Sequence, residues 1–147
     1  MFDYMIKTKS AAANYKRIKP YLLAVDHHEG HYKFTSEGYE DLSIENLGYC
    51  DHWGNPVYSM THYYEQNGDL MSDPDMTFSV NDRLGYIMPL TYQQDCFGLY
   101  QEVFTNGGKQ YSPRLLHELD SFLAKWSTNI INQGFDPAQP YKEQATA

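Results

Sequence analysis

The stretch from Val57 to Val80 restricts the possible folds more than any other part of the chain. Val57 to Gln66 is rich in β-branched and aromatic residues and ends at Asn67-Gly68. Met76 to Val80 then alternates, with Met76, Phe78 and Val80 set against Thr77 and Ser79. Asn-Gly is the dipeptide best able to supply the two positive φ angles of a type I′ turn. A period of two sends successive side chains to opposite faces of a sheet. A strand, a tight turn and a second strand are therefore predicted. Leu70 to Asp75 separates the turn from the clean alternation, which predicts an irregular or bulged start to the second arm. In the first arm Tyr58, Met60, His62 and Tyr64 share one face, while Val57, Ser59, Thr61 and Tyr63 share the other. One of those faces must be core, which leaves the other able to present tyrosine to a partner.

Four more strands are predicted around this pair: His31 to Thr35, Leu42 to Tyr49, Tyr86 to Tyr92 and Leu99 to Phe104. Turn-forming residues at Asp51 to Pro56, Gly85, Gly98 and Asn106 to Gly108 punctuate them. Pro89 fits best at an edge or a bulge, since it cannot donate to a ladder. Tyr15, Ile18, Leu22 and Val25 recur at helical spacing, but Pro20 predicts a helix that stops near Lys19 or kinks. Asp26 to Gly30 then reads as a loop. The last element is the clearest. Ser112 is an N-cap, Pro113 takes the first helical position, and Leu116, Leu119, Leu123, Trp126 and Ile130 form one apolar stripe closed by Gly134.

Helix, consecutive strands and helix define a single α+β domain. The expectation is an antiparallel sheet of about five strands, with a short N-terminal helix and a long C-terminal amphipathic helix packed on it. Residues 1–10 read as a loose arm, 11–135 as the folded core and 136–147 as a mobile tail. At 147 residues, with fourteen tyrosines and seven phenylalanines, the chain suits one domain with a sizeable core.

Charge narrows the function classes. Nineteen acidic against eleven basic side chains give −8, which leaves few cations to displace counterions from phosphates, so direct nucleic-acid binding is not expected. The acidity permits docking to a basic protein surface. No apolar run approaches the ~20 residues of a membrane span, and the N-terminus lacks a signal-peptide core, so the expected compartment is the cytosol. Cys50 and Cys96 lie in no metal-type spacing and no nucleophile signature.

The densest polar cluster is His62, Tyr64, Glu65, Asn67, Asp69, Asp73 and Asp75. It is the candidate binding site. Glu65, Asn67 and Asp69 occupy alternate positions, as the first ligands of a calcium loop do, but the required glycine is replaced by Leu70 and the closing glutamate by Met76. Those acids are expected instead to bond their own loop backbone. A glycosidase-type pair drawn from Glu65 and Asp75 needs a separation that sequence does not supply. His28 and His31 offer two imidazoles without a third ligand, so a solvated histidine loop is expected there. No catalytic residue and no cofactor are predicted.

The run HYYEQNGDLMSDPDMTFSV, followed by YQEVF at Tyr100 to Phe104 and a helix ending NIINQGF, resembles an uncharacterised bacterial family with the signature HYYEQNGDLxxDP[DE]MxF. The resemblance spans about Leu42 to Phe135. It implies the setting of phages, plasmids and conjugative elements, sometimes near anti-restriction genes, and no established catalytic residues. The expected function is a non-enzymatic accessory protein of a mobile element, acting by protein–protein contact, with a host defence nuclease carrying a basic channel as the candidate partner. The rivals are a metal-dependent hydrolase or nuclease using His62, Glu65, Asp69 and Asp73, and a module that self-associates through an edge strand.

Overall fold

A computed structural model describes residues 5–146. Helix α1 (Ala11–His27) leads into a meander of six antiparallel strands: β1 (His31–Phe34), β2 (Leu42–Cys50), β3 (Pro56–Gln66), β4 (Asp69–Asn81), β5 (Tyr86–Gln94) and β6 (Leu99–Glu102). Their order across the sheet is their order in the chain. A two-stranded ribbon of β7 (Phe104–Thr105) and β8 (Gln110–Tyr111) follows, then α2 (Pro113–Asn132) and α3 (Gln139–Thr146). The class is α+β as expected, and all six strands read from the sequence join one sheet, against the expectation of about five in it.

The β3–β4 hairpin turns on Asn67 and Gly68, both at positive φ (54° and 84°), as the dipeptide predicts. The second arm is continuous but bulged. Thr61 faces Asp75 whereas Tyr63 faces Ser72, so Asp73 and Pro74, joined by a cis peptide, stand opposite His62 alone. Pro89 also sits beside a bulge, because Thr77 faces Thr91 while Phe78 faces Pro89 and leaves Leu90 over. Ser112 caps α2 by accepting from the Leu115 amide at 3.2 Å.

Both long helices cover one face of the sheet. Ile18, Leu22 and Val25 of α1, and Leu116, Leu123, Trp126 and Ile130 of α2, close over Phe34, Ile44, Met60, Met76 and Phe78. Each fully buried side chain of this size contributes roughly 1.5–3 kcal/mol. Helix α1 runs through Pro20 to His27, longer than predicted. Pro20 lies on the exposed side, where the carbonyl it cannot bond meets water, while Tyr21, Leu22 and Val25 hold the last turns against the sheet.

From residue 5 and up to residue 146, both ends depart from the expected loose segments, of which residues 1–4 and 147 lie outside the described residues. Met5 and Thr8 are buried, and the Asp120 carboxylate of α2 accepts from the Thr8 hydroxyl (2.5 Å) and the Ser10 amide (3.0 Å). Arg17 donates to Ser127 and to Asn14, which ties α1 to α2 in the same polar seam. Beyond Phe135, helix α3 stands where a tail was expected, and Gln139 accepts from the Thr35 amide and donates to the Thr35 hydroxyl. Among the described residues no helix is long and apolar enough to cross a membrane.

Candidate functional site

Away from the helices, the central rows of the sheet are polar, and Val57, Ser79 and Met88 are buried toward one end. The register runs two rows of side chains across all six strands. One is Lys33, Ser43, Thr61, Asp75, Gln93 and Tyr100, and the other is His31, Glu45, Ser59, Thr77, Thr91 and Glu102. Between them, on the helix side, runs Tyr32, Ile44, Met60, Met76 and Tyr92, every one buried. Thr77 and Thr91 share a hydroxyl hydrogen bond of 2.5 Å on the polar face. Half-burial pushes the Asp75 carboxyl above its ordinary range, against a hydrogen bond from Thr61 that works the other way. Three carboxylates (Glu45, Asp75, Glu102) stand in these rows against one ammonium, Lys33. Many of the other cations, among them Lys16, Arg17, Lys19 and Lys125, belong to the helices.

One end of this face is roofed. The Asp51–Asn55 turn carries His52 and Trp53 and meets the β7–β8 ribbon, with Trp53 packed edge-on to Phe104 at 5.3 Å between ring centres. Asp51 organises the turn by accepting from the amides of Trp53 (2.8 Å) and Asn55 (2.9 Å) and from the Asn55 side chain (3.1 Å). Asn81 of β4 donates to Asn55 in turn. A cleft of about 340 Å³ opens beneath, lined by Cys50, Trp53 and Phe104 above and by Leu90, Thr91 and Glu102 below. Strands lie about 4.8 Å apart, so in a flat sheet three spacings would keep β2 roughly 14 Å from β5, and Cys50 further still from Thr91. The shared cleft therefore requires β2 to curl over the open face. The residues between Asn46 and Cys50, where the β2–β3 register shifts and Gly48 takes φ 78°, produce that curl.

The cluster singled out from the sequence does not converge. His62 points under α2, packed against Trp126 and Phe135, with Nδ1 3.1 Å from the Asp41 carbonyl oxygen. Glu65, Asn67 and Asp69 are exposed at the hairpin tip. Asp73 accepts from the Gln94 side-chain amide and from the Cys96 thiol, both at 2.9 Å. Tyr64 lies beside that pair, and burial together with Cys96 and Asp73 holds its hydroxyl above the usual range. The bond to Asp73 likewise raises the Cys96 thiol, the opposite of what an activated nucleophile needs. Asp75 alone among these residues belongs to the open face's central rows. His28 turns Nδ1 to the His31 carbonyl oxygen at 3.1 Å, and the two imidazoles stand edge-on with ring centres 6.1 Å apart. Among the described residues no group of three or more His, Cys, Asp and Glu is arranged to hold a metal ion.

The cleft escaped the sequence reading because its walls come from β2, the following turn, β5, β6 and the β7–β8 ribbon. Its one local signal was the Asp51–Pro56 turn chemistry, which says how the chain bends and nothing about what it roofs.

The family model described as a domain of unknown function, DUF6908, matches residues 13–136. The chain belongs to that family. The match takes in α1 and the histidine turn, which the resemblance drawn from the sequence left outside. No curated protein and no solved structure is similar enough to match.

Proposed function

We propose that this DUF6908 protein is a non-enzymatic binding module that lays the open face of its sheet on a basic protein surface. The observation that carries the reading is the pair of polar rows spanning six strands, with three carboxylates to one lysine and with Tyr63 and Tyr100 on the same side. Tyrosine is favoured at interfaces because one side chain supplies both apolar area and a hydroxyl. Five strand spacings make the face about 24 Å across. With strands of nine to thirteen residues at its centre, it can supply the ~800 Å² that one partner of a standard interface covers.

The sequence resemblance to domains of phages, plasmids and conjugative elements supports a mobile-element accessory protein acting in the cytosol. The basic surface we propose is the nucleic-acid channel of a host defence nuclease, where acidic side chains would stand in for phosphates. Electrostatic complementarity of that kind speeds encounter and weakens with salt. The metal-hydrolase alternative draws no support from His62, Glu65, Asp69 and Asp73, which among the described residues form no group arranged to hold a metal ion.

The test is a binding and cleavage panel of purified restriction and CRISPR nucleases at rising ionic strength. The proposal expects one of them to bind, with affinity falling steeply with salt and cleavage inhibited. The Glu45→Lys/Asp75→Lys protein should lose that binding while Glu118→Lys, on the far helix, keeps it. Salt-independent binding, binding that survives the face reversals, or no binding across the panel would overturn it.

A further inference from the structure

The roofed cleft has a chemistry distinct from the rest of the open face. Trp53 and Phe104 give it aromatic walls, Glu102 puts a carboxylate at its mouth, Thr91 adds a hydroxyl, and none of its lining residues is lysine or arginine. Its volume of about 340 Å³ lies at the low end of the ~300–1,000 Å³ typical of ligand pockets. Its size suits one long side chain better than an extended ligand. The frame is fixed before anything binds. Asp51, Asn55 and Asn81 lock the turn through the hydrogen bonds described above. Gly108 brings the ribbon against His52 so closely that an added Cβ would sit 3.0 Å from the ring. A preformed pocket spares the ordering cost that otherwise weakens binding.

We infer that this cleft is the receptor for one guanidinium side chain of the partner, an arginine that enters under Trp53 and meets Glu102. The inference rests on the proposed docking of the open face on a basic surface, and it names the anchor. A guanidinium stacks on aromatic faces, is weakly hydrated compared with an ammonium, and presents paired N–H groups that match a carboxylate. Aromatic walls beside a single carboxylate meet all three properties. A neutral apolar group would leave Glu102 desolvated without a partner, and an anion would be repelled by Asp51 and Glu102.

The full-length protein carries two tryptophans, Trp53 at the cleft and Trp126 buried under the helices, so it has two indole N–H signals in a ¹⁵N–¹H spectrum. Titration with tri-arginine should move the Trp53 signal and leave Trp126 in place. Tri-citrulline, the neutral isostere, and tri-glutamate should move neither. Glu102→Gln, an exposed isosteric change, should weaken tri-arginine by about tenfold or more, in keeping with a charge-assisted hydrogen bond. Equal shifts with tri-citrulline, an unmoved Trp53 signal, or unchanged affinity in Glu102→Gln would overturn the inference. The two readings fail separately. If tri-arginine leaves Trp53 unmoved while reversal of Glu45 and Asp75 abolishes nuclease binding, the anchor falls and the face stands. If Trp53 responds but those reversals leave nuclease binding intact, the face reading falls.

Discussion

The two faces of the sheet are built from the same strands and obey opposite rules. In β3, Tyr58 and Met60 are buried under the helices, while Ser59 between them and Tyr63 further along look the other way. The covered face is continuous hydrocarbon crossed by one polar seam at Asp120. Beyond its roofed end, where Val57, Ser79 and Met88 are buried, the other face is hydroxyl, amide and carboxylate, with one aromatic cleft. Stability is concentrated on the first face, which leaves the second free to carry recognition. Half-burying Asp75 even costs some stability, as binding surfaces commonly do.

Substitutions ordered by size probe that division. Phe78→Ala, on the covered face, should destabilise by about 3–5 kcal/mol in urea or thermal unfolding, since it removes a fully buried ring and leaves a cavity. Asp120→Ala should cost about 2–3 kcal/mol, because it strips partners from the Thr8 hydroxyl and the Ser10 amide at a buried site. It should also loosen residues 5–10, seen as faster amide exchange there. Gly68→Ala, at φ 84° in the hairpin turn, should cost about 1 kcal/mol through backbone strain alone.

On the uncovered face the expected changes are small or reversed. Asp75→Asn should stabilise the protein at neutral pH. The sign follows from the raised carboxyl: the folded state holds the proton more tightly than the unfolded state does. Stability therefore falls as pH rises from the ordinary value of 3.8 through the folded value, and the charged form is the destabilised one above it. The asparagine variant should lack that decline, and its advantage should vanish below pH 3.8, as paired melts across pH would show. A less stable Asp75→Asn protein at pH 7 would mean that the carboxylate is held by partners rather than strained by burial.

What the sequence disclosed tracks how local the cause was. Asn67-Gly68 and the Ser112-Pro113 start of α2 act through their own backbone, so the hairpin and the last helix were readable at once. The bulge at Asp73-Pro74 was foreshadowed by broken alternation. Pro20 misled because its cost depends on which side of α1 faces water, a tertiary fact. The docking of Thr8 and Ser10 depends on a carboxylate more than a hundred residues away and leaves no periodic trace. The acid cluster around the turn looked like a site because its residues are close in sequence. In a strand such neighbours alternate between faces, and the bulge scatters them further, so closeness in sequence became separation in space. The rows that do cross the sheet draw one residue from each strand, a pattern visible only once the register is known.

The central claim is that recognition resides on the uncovered face and stability on the other. Its most direct test is a paired measurement on Glu45→Lys/Glu102→Lys, recording unfolding free energy and affinity for the nuclease partner in the same buffer. The account predicts stability within about 0.5 kcal/mol of the parent, as for exposed positions, together with loss of binding. Unchanged binding in a protein that remains fully folded would contradict it.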